Sequence, residues 1–450
     1  MAPCRLRPER PRSGERSARP LPHSVFYRYL CAENRSRTMI PYRRHTLDNG
    51  LTVVVNRDRT SKLTAVNILY KVGARNEDPA RTGFAHLFEH LMFRGTRAVP
   101  DFDLPVQQAS GENNAFTNND YTDFYITLPR DNVETALWLE SDRMEGLDIT
   151  PEKLATEKKV VIEEFRQRYL NQPYGDQTML LRALAYRTHP YRWATIGLTP
   201  DHIAAATLDE VEAFYRTHYR PSNAVLSISA DMEEERMFAL AERWFAPLAD
   251  RPAAAAPIPQ EPPQTEARRL EVERDVPATT VTVAFRMGGR TSDDFRTGDL
   301  VSDLLAGGDS GRLHRRLVKE LRLLASANAY VSGDVDPGLF VFTGQLLPET
   351  TVEQAEAAFR DEIEALQRHD VAAYELEKVK NKFEANTLFG ELNVMNKAMN
   401  LGFYEMLGDL ALVNREVDEY RAIDPETIRD FARRTFRPEN SSTLIYKARK

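Results

Sequence analysis

The sequence predicts an α+β fold built from two duplicated domains, each a largely antiparallel sheet with helices packed on one face. Three observations predict it: an internal repeat at an offset of 215 residues, a mixture of strands and helices in each half, and a linker between the halves. At 450 residues the chain is also too long for one ordinary core, and its length favours two or three domains.

The repeat is clearest in one loop segment of each half. The residues VGARNEDPARTG at Val72–Gly83 match MGGRTSDDFRTG at Met287–Gly298, and six residue types recur at the same offset. A strand with alternating apolar residues precedes each copy, and a helix follows each copy. The two halves therefore share one order of elements.

The first half shows the expected elements in sequence. We predict hairpin-like strands over about 45–72, a helix after Thr82, a strand near 114–128, helices over about 131–146, 151–170 and 177–187, and a strand over Asn223–Ala230. The segment 248–269 is rich in proline and alanine, has no hydrophobic period, and is predicted to be an extended linker. The predicted domains are therefore 40–247 and 270–450.

The first 38 residues are predicted to be a basic, disordered tail. They hold nine arginines and three glutamates, about +6 of charge, so the remaining chain carries about −13 to give the formal net charge of −7. An acidic body argues against nucleic acid as a partner, because phosphate binding needs a basic face. The tail has no apolar run typical of a secretion signal, which favours a cytoplasmic location over the mitochondrial matrix or the periplasm. Met39 is a candidate native start.

Cysteine content and hydropathy exclude further classes of protein. Both cysteines, Cys4 and Cys31, lie in the tail, so neither a disulfide framework nor a cysteine-ligated metal is expected in the folded body. No stretch approaches 18 consecutive apolar residues, so no membrane-spanning helix is expected.

The helix after Thr82 carries the sequence HLFEH. At 100° per residue, His86, Glu89 and His90 fall within about 100° of one another, so two imidazoles can bind one metal ion while the carboxylate points to the same place. The alternative is a pair of ordinary histidines. The positions 215 residues later are apolar, namely Val301, Leu304 and Leu305. The scaffold therefore does not require polar residues at these positions, and chemistry explains them better.

A catalytic zinc site usually needs a third protein ligand and keeps one position open for water. The helix that begins near TPEKLATEKKVVIEEF offers three glutamates, Glu157, Glu163 and Glu164. Glu157 and Glu164 are seven residues apart and share nearly one face, whereas Glu163 points about 100° away. The residues alone favour neither member of the aligned pair, and a solvated acidic face is the ordinary alternative.

HLFEH, followed 74 positions later by a glutamate within EKKVVIEEF, resembles the inverted-zincin metallopeptidases of the pitrilysin and insulinase family. The resemblance includes GENNAFTNNDYTDFY, HPYRWATIG and FYRTHYRPSNAVLSISAD, and it covers 40–450. It implies one zinc ion per chain, bound by His86, His90 and Glu164, with Glu157 as a supporting carboxylate. The implied activity is hydrolysis of peptide bonds by a metal-activated water, with Glu89 as general base.

The segment NNAFTNND resembles the substrate-binding edge strand of this family. The candidate substrate-binding residues are Asn114, Ala115, Phe116 and Thr117. Such a strand can pair with the backbone of an extended peptide, which gives affinity without much sequence selectivity. The alternative is a plain sheet strand next to asparagine-rich turns.

The second half departs from the family pattern. Active members typically carry an arginine and a tyrosine seven residues apart that hold the substrate carbonyl, and Val318 and Ala325 stand at those positions here. Neither can donate a hydrogen bond to a developing oxyanion. We therefore expect a heterodimer with a second homologous subunit that supplies the pair, or, as a weaker alternative, a homodimer in which Arg322 or Tyr330 substitutes. The rival hypothesis is a non-catalytic structural or peptide-binding subunit, against which the intact HLFEH argues.

Overall fold

A computed structural model describes residues 39–251, 253 and 256–449, and the predicted tail at 1–38 lies outside this range. Each half contributes one sheet. The first sheet contains β1 (Arg43–Thr46), β2 (Thr52–Arg57), β3 (Leu63–Tyr70), β4 (Glu112–Thr117), β5 (Thr122–Pro129) and β6 (Ala224–Ala230). The second contains β7 (Arg268–Arg274), β8 (Thr280–Arg286), β9 (Leu324–Val331), β10 (Leu339–Leu346) and β11 (Ser441–Ala448).

The two sheets have the same topology. The first has the order β1-β2-β6-β3-β5-β4, and the second has the order β7-β11-β8-β10-β9, so each strand after β1 has a counterpart. The pairs β2–β6 and β7–β11 are parallel, and the other neighbouring strands are antiparallel. The predicted α+β class with two largely antiparallel sheets is confirmed.

Helices follow the strands in both halves. The first half contains α1 (Phe84–Leu91), α2 (Asp103–Gln108), α3 (Val133–Glu145), α4 (Pro151–Phe165), α5 (Gln177–Ala185), α6 (Pro200–Ala205), α7 (Leu208–His218) and α8 (Glu234–Phe245). The second contains α9 (Asp293–Ala306), α10 (Val352–Arg368), α11 (Ala373–Gly390), α12 (Val394–Met406), α13 (Leu412–Ala422) and α14 (Pro425–Thr435). Within the described residues, no helix is both long enough and apolar enough to cross a membrane.

Two elements differ from their predicted bounds for local reasons. The strand predicted near 114–128 is two strands, because the Asn118 side chain accepts hydrogen bonds from the backbone N–H groups of Asp120 and Tyr121 and closes a turn between β4 and β5. The helix predicted to end near residue 170 leaves the α-helical pattern at Phe165 and continues as one π-helical turn, Arg166–Leu170.

The segment between the halves is attached to the first half. The Glu261 carboxylate accepts backbone hydrogen bonds from Arg187, Thr188 and His189 at 2.9, 2.7 and 2.9 Å. Strand β7 already begins at Arg268, inside the predicted linker. The domain bounds of 40–247 and 270–450 stay a prediction.

Each half covers the inner face of its sheet with its own helices, as expected, but the outer faces are covered by an exchange. Helix α12 of the second half packs on the first sheet, where Leu401 contacts the cluster that contains Val54 and Val225. Helix α5 of the first half packs on the second sheet, where Leu181 clusters with Ala284. The two helices occupy equivalent positions of the repeat. This reciprocal packing joins both halves into one compact unit, Ile40–Lys450.

Gly402→Val is expected to destabilise the protein through this exchange. A Cβ at Gly402 would lie 2.8 Å from Asn67 Oδ1 and 3.1 Å from Ser227 Oγ on the buried sheet face, so the helix would have to move. Overpacking of this kind typically costs about 1–3 kcal/mol, which chemical denaturation would measure. Gly146→Val is the matched control, because nothing lies within 4 Å of its Cβ position. Equal stability of the two variants would contradict close packing of α12.

Candidate metal centre

Helix α1 has an apolar face and a polar face. Its apolar residues recur at helical spacing and pack in the first core: Phe84, Leu87, Phe88 and Leu91. His86, Glu89 and His90 are the polar residues between them. Gly83 precedes the helix with a φ of +92°, and a Cβ there would lie 2.6 Å from the carbonyl oxygen of Ile196. The entry to this helix therefore requires glycine.

Glu77 satisfies the first N–H groups of α1. Its carboxylate accepts hydrogen bonds from the backbone of Gly83 and Ala85, each at 2.8 Å. Burial raises the pKa of Glu77 to about 8, although these hydrogen bonds act in the opposite direction. The helix that carries the two histidines thus has an anchored N-terminus.

Helix α4 supplies the carboxylates. The Thr150 side chain caps its N-terminus by accepting from the Lys153 N–H at 3.2 Å, and Pro151 is its first residue. Its buried apolar residues, which pack in the first core, are Leu154, Val161 and Phe165. Because α4 packs against α1, Glu157 and Glu164 face the two histidines.

His86, His90 and Glu164 converge on one point. Glu164 Oε2 lies 3.7 Å from His86 Nε2 and 3.4 Å from His90 Nε2, and one donor atom from each of the three residues lies within 4.8 Å of the others. Zinc bonds of about 2.0–2.2 Å at tetrahedral angles separate neighbouring donor atoms by about 3.3–3.6 Å. The spacing and chemistry of these groups therefore fit a zinc ion.

Glu157 contacts the other nitrogen of His90. Its Oε2 lies 3.4 Å from His90 Nδ1, and its Oε1 forms an ion pair with Arg94 Nε. The side chain of Glu157 is only 1% exposed. A carboxylate on the far nitrogen of a metal-binding histidine fixes the orientation of the ring. The two glutamates that the sequence could not rank thus contact different nitrogens of the same imidazole.

The two histidines differ in their electrostatic surroundings. Burial lowers the pKa of His86 to about 4, with Glu164 acting in the opposite direction. Burial would also lower the pKa of His90, but contacts with Glu157 and Glu164 outweigh it and raise this pKa to about 9. The negative potential that favours a proton at His90 would equally favour a divalent cation.

Glu89 lies between the histidines and the edge strand. Burial raises the pKa of its carboxyl group, while hydrogen bonding with Thr117 lowers it. Thr117 is the last residue of β4, the outermost strand of the first sheet on this side. A carboxylate with a raised pKa next to a metal site suits a general base.

All four candidate substrate-binding residues lie on β4. They pair with β5 in the register Asn114–Tyr125, Ala115–Phe124, Phe116–Asp123 and Thr117–Thr122. Asn114 is exposed and the other three are half-buried. Since β4 pairs with a described strand on one side alone, its other edge is geometrically open to a peptide.

The positions expected to lack the arginine–tyrosine pair lie in the second half. Val318 belongs to the π-helical segment His314–Glu320 and packs against the second core, whereas Ala325 is exposed on β9. Among the suggested substitutes, Arg322 has a left-handed φ of +51° and Tyr330 is 41% exposed. None of these contacts the candidate metal site within the described residues.

Sequence reasoning missed three residues around the site: Glu77, Arg94 and Arg168. The two arginines each follow a predicted metal ligand by four residues, a helical spacing that could have indicated them. Nothing comparable indicated Glu77, since its contact with the start of α1 depends on the path of the intervening loop.

Two family models match the chain. The model described as Insulinase (Peptidase family M16) matches 52–197, which contains the candidate metal site. The model described as Peptidase M16 inactive domain matches 205–383. The two matched segments follow the two halves of the repeat.

Individual relatives agree with these matches. A curated protein named Zinc protease PqqE, from Helicobacter pylori, is 31% identical over 364 residues and covers 79% of this chain and 82% of the relative. A probable mitochondrial-processing peptidase subunit beta from Arabidopsis thaliana is 24% identical over 61% of this chain and 51% of the relative. The crystal structure of a protease from Helicobacter pylori superposes with a TM-score of 0.86 at 28% identity, covering 91% of this chain and 100% of that one. The chain therefore belongs to the insulinase family, peptidase family M16.

Proposed function

We propose that this protein is a zinc metalloendopeptidase that hydrolyses peptides or unfolded segments of proteins. The observation that carries the proposal is the convergence of His86, His90 and Glu164 within 4.8 Å, with the Glu89 carboxyl one helical residue away. The name of the Helicobacter pylori relative, a zinc protease, supports both the metal and the reaction.

The residues of the chain have distinct roles in this proposal. Zinc, when bound, supplies a Lewis acid that polarises a peptide carbonyl and lowers the pKa of a water molecule. Glu89 accepts the proton of the attacking water and passes it to the leaving amine. The hydrogen bond between Thr117 and Glu89 orients that carboxylate at the end of the substrate strand.

The substrate is expected to bind as an extended strand. The open edge of β4, with Asn114, Ala115, Phe116 and Thr117, offers backbone hydrogen bonds to a peptide that ends its path beside Glu89. Backbone pairing selects for extended conformation rather than for sequence, so unfolded chains are better substrates than folded ones.

A second homologous subunit is the proposed partner. Val318 and Ala325 cannot hold a substrate carbonyl, and the Arabidopsis thaliana relative is named as one subunit of a peptidase. A heterodimer in which the partner supplies an arginine and a tyrosine is favoured over a homodimer that uses Arg322 or Tyr330. The cytoplasmic location stays a prediction.

The test of this function uses the purified full-length chain. One zinc per chain by elemental analysis, together with zinc-dependent cleavage of an unfolded peptide, is the expected result, and cleavage should rise when the homologous partner is added. Robust cleavage by the chain alone would count against an obligatory partner. Absence of zinc even after zinc is supplied would favour the alternative of a non-catalytic subunit, to which the description of the second-half family as an inactive domain points.

Glu157→Gln is expected to lower zinc affinity by about 10–100-fold, because the amide holds the His90 ring less firmly than the carboxylate. Competition with a chromophoric chelator measures this affinity. Glu152→Gln, on the exposed first turn of α4, is the matched control and should leave it unchanged. Equal affinities for both variants would remove the orienting role assigned to Glu157.

A further inference from the structure

Arg168 lies beside the proposed third metal ligand. It follows Glu164 by four residues, within the π-helical turn Arg166–Leu170 that continues α4. Its Nη1 lies 2.8 Å from Glu164 Oε1, while Glu164 Oε2 faces His86 and His90. The two oxygens of one carboxylate therefore have different neighbours, a guanidinium on one side and two imidazoles on the other.

An ordinary surface ion pair is the simplest alternative explanation. The Arg168 side chain is 68% exposed, and exposed pairs at this spacing contribute little to stability. The same turn holds a pair of that ordinary kind: Arg166 lies 3.5 Å from Glu163, and both side chains are more than half exposed. Glu164 differs from Glu163 because its side chain is 18% exposed and its second oxygen faces the histidines.

The second half shows what the scaffold itself requires. At the repeat offset of 215, Glu164 and Arg168 correspond to Val379 and Phe383. Val379 is buried, and Phe383 packs against the second core. The α-helix that carries them runs without interruption to Gly390, so it has no π-helical turn at the equivalent place. The ion pair and the π turn therefore occur together in the copy with the histidines, and π turns frequently mark functional sites.

We propose that Arg168 is a positioning residue for the metal ligand Glu164. By holding Oε1, it keeps Oε2 directed at the two histidines, so that Glu164 binds the metal through one oxygen and leaves a coordination position free. The inference rests on the proposed zinc site. Arg94 has the same relation to Glu157, so both carboxylates that contact His90 give their second oxygen to an arginine.

Chemistry favours this role over direct metal binding or proton transfer by Arg168. A guanidinium has no acceptor and stays protonated, so it can neither ligate a cation nor act as a base. Partners of ligating carboxylates fix the geometry of the ligand, and their loss typically weakens metal binding. Glu164 without such a partner could rotate and offer both oxygens to the ion.

The test compares full-length wild-type protein with Arg168→Ala, Arg168→Lys and Arg166→Ala. The zinc dissociation constant is measured by competition with a chromophoric chelator. We expect about tenfold weaker binding for Arg168→Ala, substantial recovery for Arg168→Lys, and wild-type affinity for Arg166→Ala, which removes the same charge from the same turn. Thermal melting with a chelator present should be equal for all four proteins.

A second measurement replaces zinc with cobalt, whose visible absorption distinguishes four-coordinate from five-coordinate sites. Arg168→Ala should shift the spectrum toward higher coordination, as expected for a carboxylate that binds through both oxygens. Arg168→Ala that binds zinc as tightly as Arg166→Ala, with an unchanged cobalt spectrum, would overturn the role of Arg168 and leave the metal site intact. Wild-type protein that binds no zinc would instead overturn the site on which this role depends.

Discussion

Glu89→Gln is expected to remove nearly all peptidase activity while zinc affinity stays at the wild-type value. Glutamine has almost the same shape but cannot accept the proton of the attacking water. General-base catalysis typically contributes about 10²–10⁴-fold, or about 3–5 kcal/mol of barrier. Glu89 is not one of the three converging donor residues, so the metal has no reason to leave.

The measurement pairs turnover of an unfolded peptide with elemental analysis of the same sample. Glu89→Asp is a useful comparison, because it keeps a carboxylate but withdraws it by one methylene, and it should retain part of the activity. Wild-type turnover by a zinc-loaded Glu89→Gln variant would remove the proton-transfer role. Loss of zinc together with activity would instead mean that Glu89 helps to bind the ion.

The metal-binding helix could be predicted because its information is local. His86, Glu89 and His90 stand between apolar residues at helical spacing, and a helix of this pattern can place them in only one way. The repeat strengthened the prediction, since apolar residues occupy the equivalent positions in the second half. Contacts within one helix follow from sequence spacing.

The choice between Glu157 and Glu164 could not be made from local information. Both lie on one face of α4, and both contact His90 at 3.4 Å. The difference is which nitrogen each one meets, Nδ1 for Glu157 and Nε2 for Glu164. That depends on the rotation of the imidazole and on the crossing of α1 and α4, which no spacing in the sequence encodes.

The exchange of α5 and α12 between the halves was also beyond the sequence pattern. Periodicity indicates that a helix has an apolar face, but both sheets of a duplicated fold present similar apolar surfaces to cover. Leu181 and Leu401 could each have been assigned to the nearer sheet in sequence. Close contacts such as that of Gly402 with Asn67 and Ser227 decide the pairing.

Glu164→Gln is expected to weaken zinc binding about a thousandfold, since protein zinc sites with apparent affinities of about 10–16 kcal/mol share that energy among a few ligands. A neutral amide replaces the only anionic donor of the three. It also leaves Arg168 beside the metal without its carboxylate partner, so an uncompensated positive charge then opposes the cation. Zinc titration against a chelator measures the loss.

Glu163→Gln is the matched control, one residue earlier on the same helix and with the same loss of charge. Its side chain is 53% exposed and contacts Arg166 rather than the histidines, so zinc affinity should not change. If both variants lost zinc equally, general electrostatic attraction by an acidic helix would explain the binding. If neither did, the third ligand would have to be Glu157, whose Oε2 already lies 3.4 Å from His90. Only a loss confined to Glu164→Gln assigns the ligand by direction rather than by charge.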